Sequence, residues 1–288
     1  MTHTRSTLIV LFIAALACPA AIAQPPVLFF DANTQDENDD AWENSGSAGG
    51  AVPQTDDRPI LEEGTVEVAG MSFFTKYYTV PDSHAVFAND EPLDDAPVVF
   101  LESWTWGSLV RINGGRFPGE AEEHHMYGIH SNAPEETQTM RVMLPFDAED
   151  WGWIDNVNIM QTAIGIREDH ESIADTGLDL GQGVWRFMHV AFESGIAVTF
   201  YLDGEETGEV PSEVTFDPKH PMNLHALFAN SAGESVQACN CSAVNFKLWD
   251  RWLSADEINA DIAQTVGGAA VEAIDKLATT WGQVKYDQ

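Results

Sequence analysis

The chain is poor in positive charge, in cysteine and in long apolar runs. Its 288 residues carry 13 Lys and Arg against 46 Asp and Glu, a formal charge of −33. A field of that sign repels phosphate backbones and anionic headgroups, which excludes nucleic acid and anionic membrane surfaces as partners. Cysteine is limited to Cys18, Cys239 and Cys241, too few for a small scaffold built on disulfides. No stretch approaches the roughly 20 apolar residues that a spanning helix needs, so no membrane insertion is expected. Also missing are a Gly-x-Ser-x-Gly elbow, a His-Glu-x-x-His pair and a phosphate-binding loop.

What is present begins with an export signal. Arg5 precedes an apolar run, Leu8 to Leu16, and Ala21-Ile22-Ala23 is a small-residue cleavage site before Gln24. This pattern is a secretory signal peptide over residues 1–23, which places the mature chain in the periplasm or outside the cell. Cys18 follows Ala-Leu-Ala, a poor lipoprotein box, and leaves with the signal. Cys239-Asn240-Cys241 remains. A bridge between i and i+2 is strained, yet exported proteins meet oxidising conditions, so a local disulfide, free thiols and a metal role all stay open.

The most ordered pattern is Trp185 to Val210, WRFMHVAFESGIAVTFYLDGEETGEV. Ser194-Gly195 and Asp203-Gly204 punctuate runs rich in Val, Ile, Phe and Tyr, and Asp-Gly is a strong type I′ hairpin signal. Three antiparallel strands are expected, about 185–192, 196–202 and 205–210, and such an apolar meander needs a second sheet to cover it. Other strands are expected at Val27–Phe30, 65–68, 72–80, 98–112, 126–129, 138–144, 157–166, 223–229 and 243–249. Acidic or Gly-rich segments at 31–50, 81–97, 113–123 and 167–183 read as loops, with Trp42 folding back onto the body. His189 sits in a core strand and reads as structural. Ser254-Ala-Asp-Glu257 is a capping box that opens one short helix, about 254–264. Trp249 alternates outward, to be covered by the tail that follows, with Trp281 the candidate cover. A dozen strands and one helix make an all-β, two-sheet antiparallel β-sandwich.

Three stretches resemble one family. Trp185-Arg-Phe-Met-His189-Val-Ala is similar to a W-x-H-V-A strand, with extra residues between Trp and His. Val198-Thr-Phe-Tyr-Leu-Asp203-Gly204 is similar to a V-x-x-Y-V-[ND]-G hairpin. Phe246 to Ile258, FKLWDRWLSADEI, is similar to a closing strand followed by [ND]-R-x-L-S-x-x-E-I. Together they resemble the laminin-G-like, concanavalin-A-like jelly-roll family over residues 24–264, leaving 265–288 as a tail. The resemblance implies two sheets packed face to face, with the first strand paired near the last. It also implies a broad range of roles, from glycan-binding modules and calcium-dependent adhesion domains to glycosidases of related fold.

The residues weigh against catalysis. The Glu-x-Asp-x-x-Glu pattern of sandwich glycosidases, which sets two carboxylates about 5–5.5 Å apart, is missing, and Glu168-Asp169-His170-Glu171 has the wrong spacing. Calcium takes six to eight oxygen ligands, for which the acidic clusters are candidates: Asp36 to Asp40, Glu122 and Glu123, and Asp147, Glu149 and Asp150. In a chain this acidic the same clusters also suit solvated loops. Adjacent His124 and His125 point apart on a strand, which argues against zinc. Trp faces suit sugar rings, and Trp151, Trp153 and Trp106 are the candidate platforms, with core packing the competing role. The expected function is an exported, non-catalytic domain that recognises glycan or a cell-surface or matrix partner, with calcium as candidate cofactor. The alternatives are a glycoside hydrolase or lyase with a diverged site, and a structural component of an extracellular assembly. N-terminal sequencing of the exported chain checks the signal: the mature protein is expected to begin at Gln24, and an N-terminus at Met1 would contradict this.

Overall fold

The computed structural model describes residues 24–55, 58–81, 85–89, 96–114, 123–131, 138–145, 159–166, 171–229 and 238–268. Strand β1 (Leu28–Asp31) leads into a 3₁₀ turn (Ala32–Thr34), a small hairpin of β2 (Ala41–Glu43) and β3 (Ala51–Pro53), and a long hairpin of β4 (Ile60–Val68) and β5 (Met71–Thr79). Two short strands, β6 (Phe87–Ala88) and β7 (Val98–Val99), precede β8 (Trp104–Ile112). A meander of β9 (Glu123–Ser131), β10 (Gln138–Pro145), β11 (Ile159–Ile166) and β12 (Glu171–Asp179) follows. A second meander comprises β13 (Trp185–Glu193), β14 (Ala197–Leu202) and β15 (Glu205–Pro211). Strands β16 (Met222–Leu227), β17 (Cys241–Ala243) and β18 (Asn245–Trp249) come last among the strands, before helix α1 at 255–268.

These elements form a two-sheet antiparallel β-sandwich of jelly-roll type. The larger sheet runs β15-β14-β13-β8-β17-β5-β4, with β18 also on β8 and β1 beside β18. The smaller runs β12-β11-β10-β9-β16-β6, with β7 also on β16. The first strand does pair with the last, Leu28 opposite Leu248. The 185–210 meander forms as read, and Asp203 and Gly204 both take positive φ, the geometry a type I′ turn requires.

Three expectations are corrected. The 98–112 region is not one strand: β7 joins the smaller sheet and β8 the larger, because the chain bends at Glu102-Ser103 and leaves Phe100 exposed. Residues 171–179, read as loop, form edge strand β12, paired with β11. Within the expected loop 31–50 lies β2, whose Trp42 is fully buried against Phe30, Tyr78, Phe87, Phe228 and Phe246.

The larger sheet is covered on both faces. Its inner face (Trp104, Trp106, Val110, Val190, Phe192, Phe200) packs on the smaller sheet through Tyr127 and Ile129. Its outer face carries Leu109, Trp185, Phe187, Ala191, Tyr201 and Trp249. Two elements close over that face. Strand β17 pairs with β5 only at Tyr78 and Thr79, so the rest of the β4–β5 hairpin is free to fold over, placing Val66, Val68 and Phe73 against Trp185 and Phe187. Beside it, α1 and the turn before it insert Leu253, Ile258 and Ile262. Burial of each such side chain contributes about 2 kcal/mol. Trp249 is therefore covered within this same cluster.

The helix begins where the capping box places it. Ser254 N donates to Glu257 Oε2 (2.9 Å) and Glu257 N donates to Ser254 Oγ (3.4 Å). It is then fastened by charge. Phe29, Lys247, Gly107, His189 and Tyr201 form one row across β1, β18, β8, β13 and β14. The bare centre of that row is required, because a Cβ on Gly107 would lie 2.5 Å from the His189 ring. Asp261 reaches down to accept from Lys247 Nζ at 2.6 Å and to sit 3.2 Å from His189 Nε2. Lys247 Nζ also donates to Thr265 Oγ1 (2.8 Å) and lies 5.1 Å from the Phe29 ring. Burial alone would raise the Asp261 pKa. The Lys247 charge and the His189 hydrogen bond outweigh burial and hold it at about 2. His189 is thus the structural residue the sequence suggested.

Because the folded carboxyl is depressed below the usual carboxylate range, its stabilisation is present above about pH 4 and is lost as pH falls through about 2. Asp261→Asn leaves Lys247 buried without its counter-charge, which is expected to cost about 3–5 kcal/mol at neutral pH. Urea denaturation at neutral and acid pH checks both: the wild type loses stability across that acid window, and the variant shows a lower and flatter profile.

Candidate functional site

Among the described residues, the chain between β1 and β3 builds an open cleft of about 440 Å³. Sequence dictates its walls. Asp31 Oδ1 accepts from Asn33 N and Asn33 Nδ2, which starts the 3₁₀ turn and orients Thr34 and Gln35. Asn44 is the hub of the opposite wall: its Oδ1 accepts from Phe29 N (2.7 Å) and Gly46 N (2.9 Å), and its Nδ2 donates to Gly49 O (2.7 Å). The intervening acids are fixed from below. Gln54 Nε2 donates to Asp39 O, and Asp36 N donates to Asp39 Oδ2. Buried Trp42 anchors the strand between Ala41 and Glu43.

The cleft is electronegative. Asp39, Asp40 and Glu43 line it. Beneath them, burial pushes the Tyr78 phenol up to about 12, the Asp39 charge adds to the rise, and Gln54 partly opposes it. Arg58 Nη2 donates to Asp40 Oδ1 at 2.7 Å on the outer side. Gln35 is 2% exposed, and its Oε1 has no partner. Each wall is held by hydrogen bonds before any ligand arrives, which lowers the ordering cost of binding.

The residues singled out from sequence fall elsewhere. Trp106 is 2% exposed and packs on Tyr127 with ring centroids 5.3 Å apart, so its face is closed to a ligand by the opposing sheet. Trp151, Trp153, Glu122, Asp147, Glu149 and Asp150 lie outside the described residues. Glu123 begins β9, beside His124 and His125, as backbone only. Glu171 begins β12, and 168–170 lie outside the description. Among the described residues, no three His, Cys, Asp or Glu side chains gather as a metal site. Cys239 and Cys241 are joined as a disulfide with Cα atoms 5.3 Å apart, both fully buried. No helix of the described residues is long and apolar enough to cross a membrane.

Of the cleft, sequence reasoning had marked only Asp36 to Asp40. Gln35, Glu43, Asn44 and Ser45 went unremarked. Of these, only Gln35 lies in a stretch with a local signal, Asp-Ala-Asn-Thr-Gln at 31–35, whose short polar side chains favour turns.

No protein-family model matches the chain, and no curated protein does. Among solved structures, the receptor binding domain of botulinum neurotoxin D is similar at 11% identity with a TM-score of 0.49, covering 84% of this chain and 53% of that one. The botulinum neurotoxin type G receptor binding domain is similar at 8% identity and a TM-score of 0.45, covering 82% and 50%. A structure of botulinum neurotoxin type C, whose cell entry is dependent upon interaction with two ganglioside molecules, is similar at 10% identity and 0.44, covering 82% and 50%. The chain spans about half the length of these structures. Likeness at this level carries no argument about function.

Asn44→Ala removes three hydrogen bonds from a nearly buried position. It is expected to destabilise the protein by about 2–4 kcal/mol, read as a lower urea midpoint with an unchanged slope. A midpoint equal to wild type would contradict the hub role.

Proposed function

We propose that this is an exported, non-catalytic binding domain of laminin-G-like kind that holds a glycan at the rim cleft between β1 and β3. The observation that carries the reading is a cleft whose polar walls are fixed in advance by partly buried hydrogen bonds, Asn44 on one side and the Asp31–Gln35 turn on the other. Sugars present many hydroxyl donors, and a row of oriented acceptors on a rigid loop is what recognises them. The three sequence stretches that resemble laminin-G-like domains support the same reading, and so does the signal peptide, which would deliver the domain to where glycans are displayed. The domain needs no chemistry for this role. A cell-surface or matrix protein is the other partner class consistent with export and surface acidity.

Binding to a glycan array, with and without EDTA, tests the reading. The expected result is binding that survives EDTA and weakens at least about tenfold in a variant combining Asp40→Ala and Glu43→Ala, with circular dichroism unchanged. Binding that EDTA abolishes would transfer the site to a metal held outside the cleft. No binding to any glycan would overturn the reading.

A further inference from the structure

We propose that the mature chain is closed at its N-terminus by cyclisation of Gln24 to a lactam, and that this cap protects the chain that holds the loop between β2 and β3; this rests on reading the signal peptide as ending at Ala23. Gln24 and Pro25 are exposed. Among the described residues the first backbone ties come only after them: Ser47 N donates to Pro26 O at 3.3 Å, and Val27 N donates to Leu248 O at 2.7 Å. Pro25 and Pro26 have no N–H to offer a sheet, and a residue before proline is held extended. Cleavage after Ala23 therefore leaves an amine and a side-chain amide on one residue that stands clear of the fold.

The step needs no second reactant. The α-amino nitrogen bonds to Cδ of its own side chain, the bond from Cδ to Nε2 breaks, and Nε2 leaves as ammonia with the proton that the amine gives up. Amine and amide belong to one residue, so the attack has the advantage of an intramolecular reaction. The product carries neither a terminal positive charge nor an amine for an exopeptidase to grip. Directly behind it comes the chain that the loop depends on. Besides the Pro26 bond, Ala48 N donates to Val27 O (3.0 Å), Ser45 N donates to Phe29 O (2.8 Å), and Phe29 N donates to Asn44 Oδ1 (2.7 Å). Leu28 and Phe30 are buried core residues of β1, paired with Leu248 and Phe246 of β18. Trimming from the N-terminus would reach these ties before any other element of the fold.

Mass spectrometry of the exported protein provides the test, on the intact chain and on its N-terminal peptide, at harvest and after ageing at neutral pH. The expected result is an aged chain that begins at residue 24, is lighter by one ammonia than its sequence requires, and takes up no amine-labelling reagent at its N-terminus. A Gln24→Ala variant is expected to be cut at the same place and to keep a labelled terminal amine. Incubated with an aminopeptidase that accepts an X-Pro start, the variant is expected to lose the residues ahead of β1, whereas the aged wild type keeps its length. An aged peptide that begins at Gln24 with full mass and a labelled amine overturns the cyclisation while leaving the signal reading intact. A peptide that begins anywhere else overturns both. If the variant and the aged wild type resist the aminopeptidase equally, or are trimmed equally, the protective role falls.

Discussion

A sheet with two apolar faces has to be covered twice. Strands β8 and β13 are buried along nearly their whole length, and one opposing sheet can shield only one side of them. The chain resolves this with elements from its two ends. The β4–β5 hairpin folds over from one side and α1 from the other, and Asp261 ties the helix to Lys247 and His189 across the bare Gly107. A buried carboxylate is costly unless its partners are close, and here two cationic-capable groups from different strands meet it. That geometry fixes both the depth and the rotation of the helix. The helix in turn constrains the hairpin of the β13–β15 meander. Gly204 takes φ of +87°, and Asn259 and Ile262 of the helix stand where a Cβ would go.

Closing that outer face has a functional consequence. In a sandwich the broad sheet faces are natural seats for ligands, and one of them is here occupied by the protein itself. The cleft between β1 and β3 is built instead from short, polar chain held by its own side chains. Its base is the Trp42 aromatic cluster, so the acids above it stand on rigid packing rather than on a mobile loop. Rigidity below and carboxylates above are the two properties from which the glycan reading is argued.

Much of the fold was legible because strong local signals agreed with the tertiary outcome. Asp203-Gly204 marks a hairpin whether or not the rest is known, and Ser254 with Glu257 marks a helix start. Where the reading departed, a weak local signal was overruled by a partner distant in sequence. Residues 171–179 look like loop until β11 is there to pair with them. Val98 and Trp104 look like one strand until two sheets compete for them. Asp261 was invisible as a clamp because its partners, Lys247 and His189, come from separate strands. The cleft was half visible: an acidic run says that a loop is solvated, and only the Asn44 and Asp31 hydrogen bonds show that it is shaped. Trp106 illustrates the reverse, a residue whose chemistry suits a ligand and whose alternation places it inside.

The central claim is that ligand meets this domain at residues 34–45 and not on a sheet face. Amide chemical-shift mapping tests it directly, by titrating an oligosaccharide that binds on the glycan array into isotope-labelled mature protein. The account predicts that the shifted amides cluster at 34–45 and at their hydrogen-bonded neighbours Phe29, Gly46 and Gly49, while β13 and β14 stay unmoved. Shifts concentrated on β9 to β12, with residues 34–45 unperturbed, would contradict it.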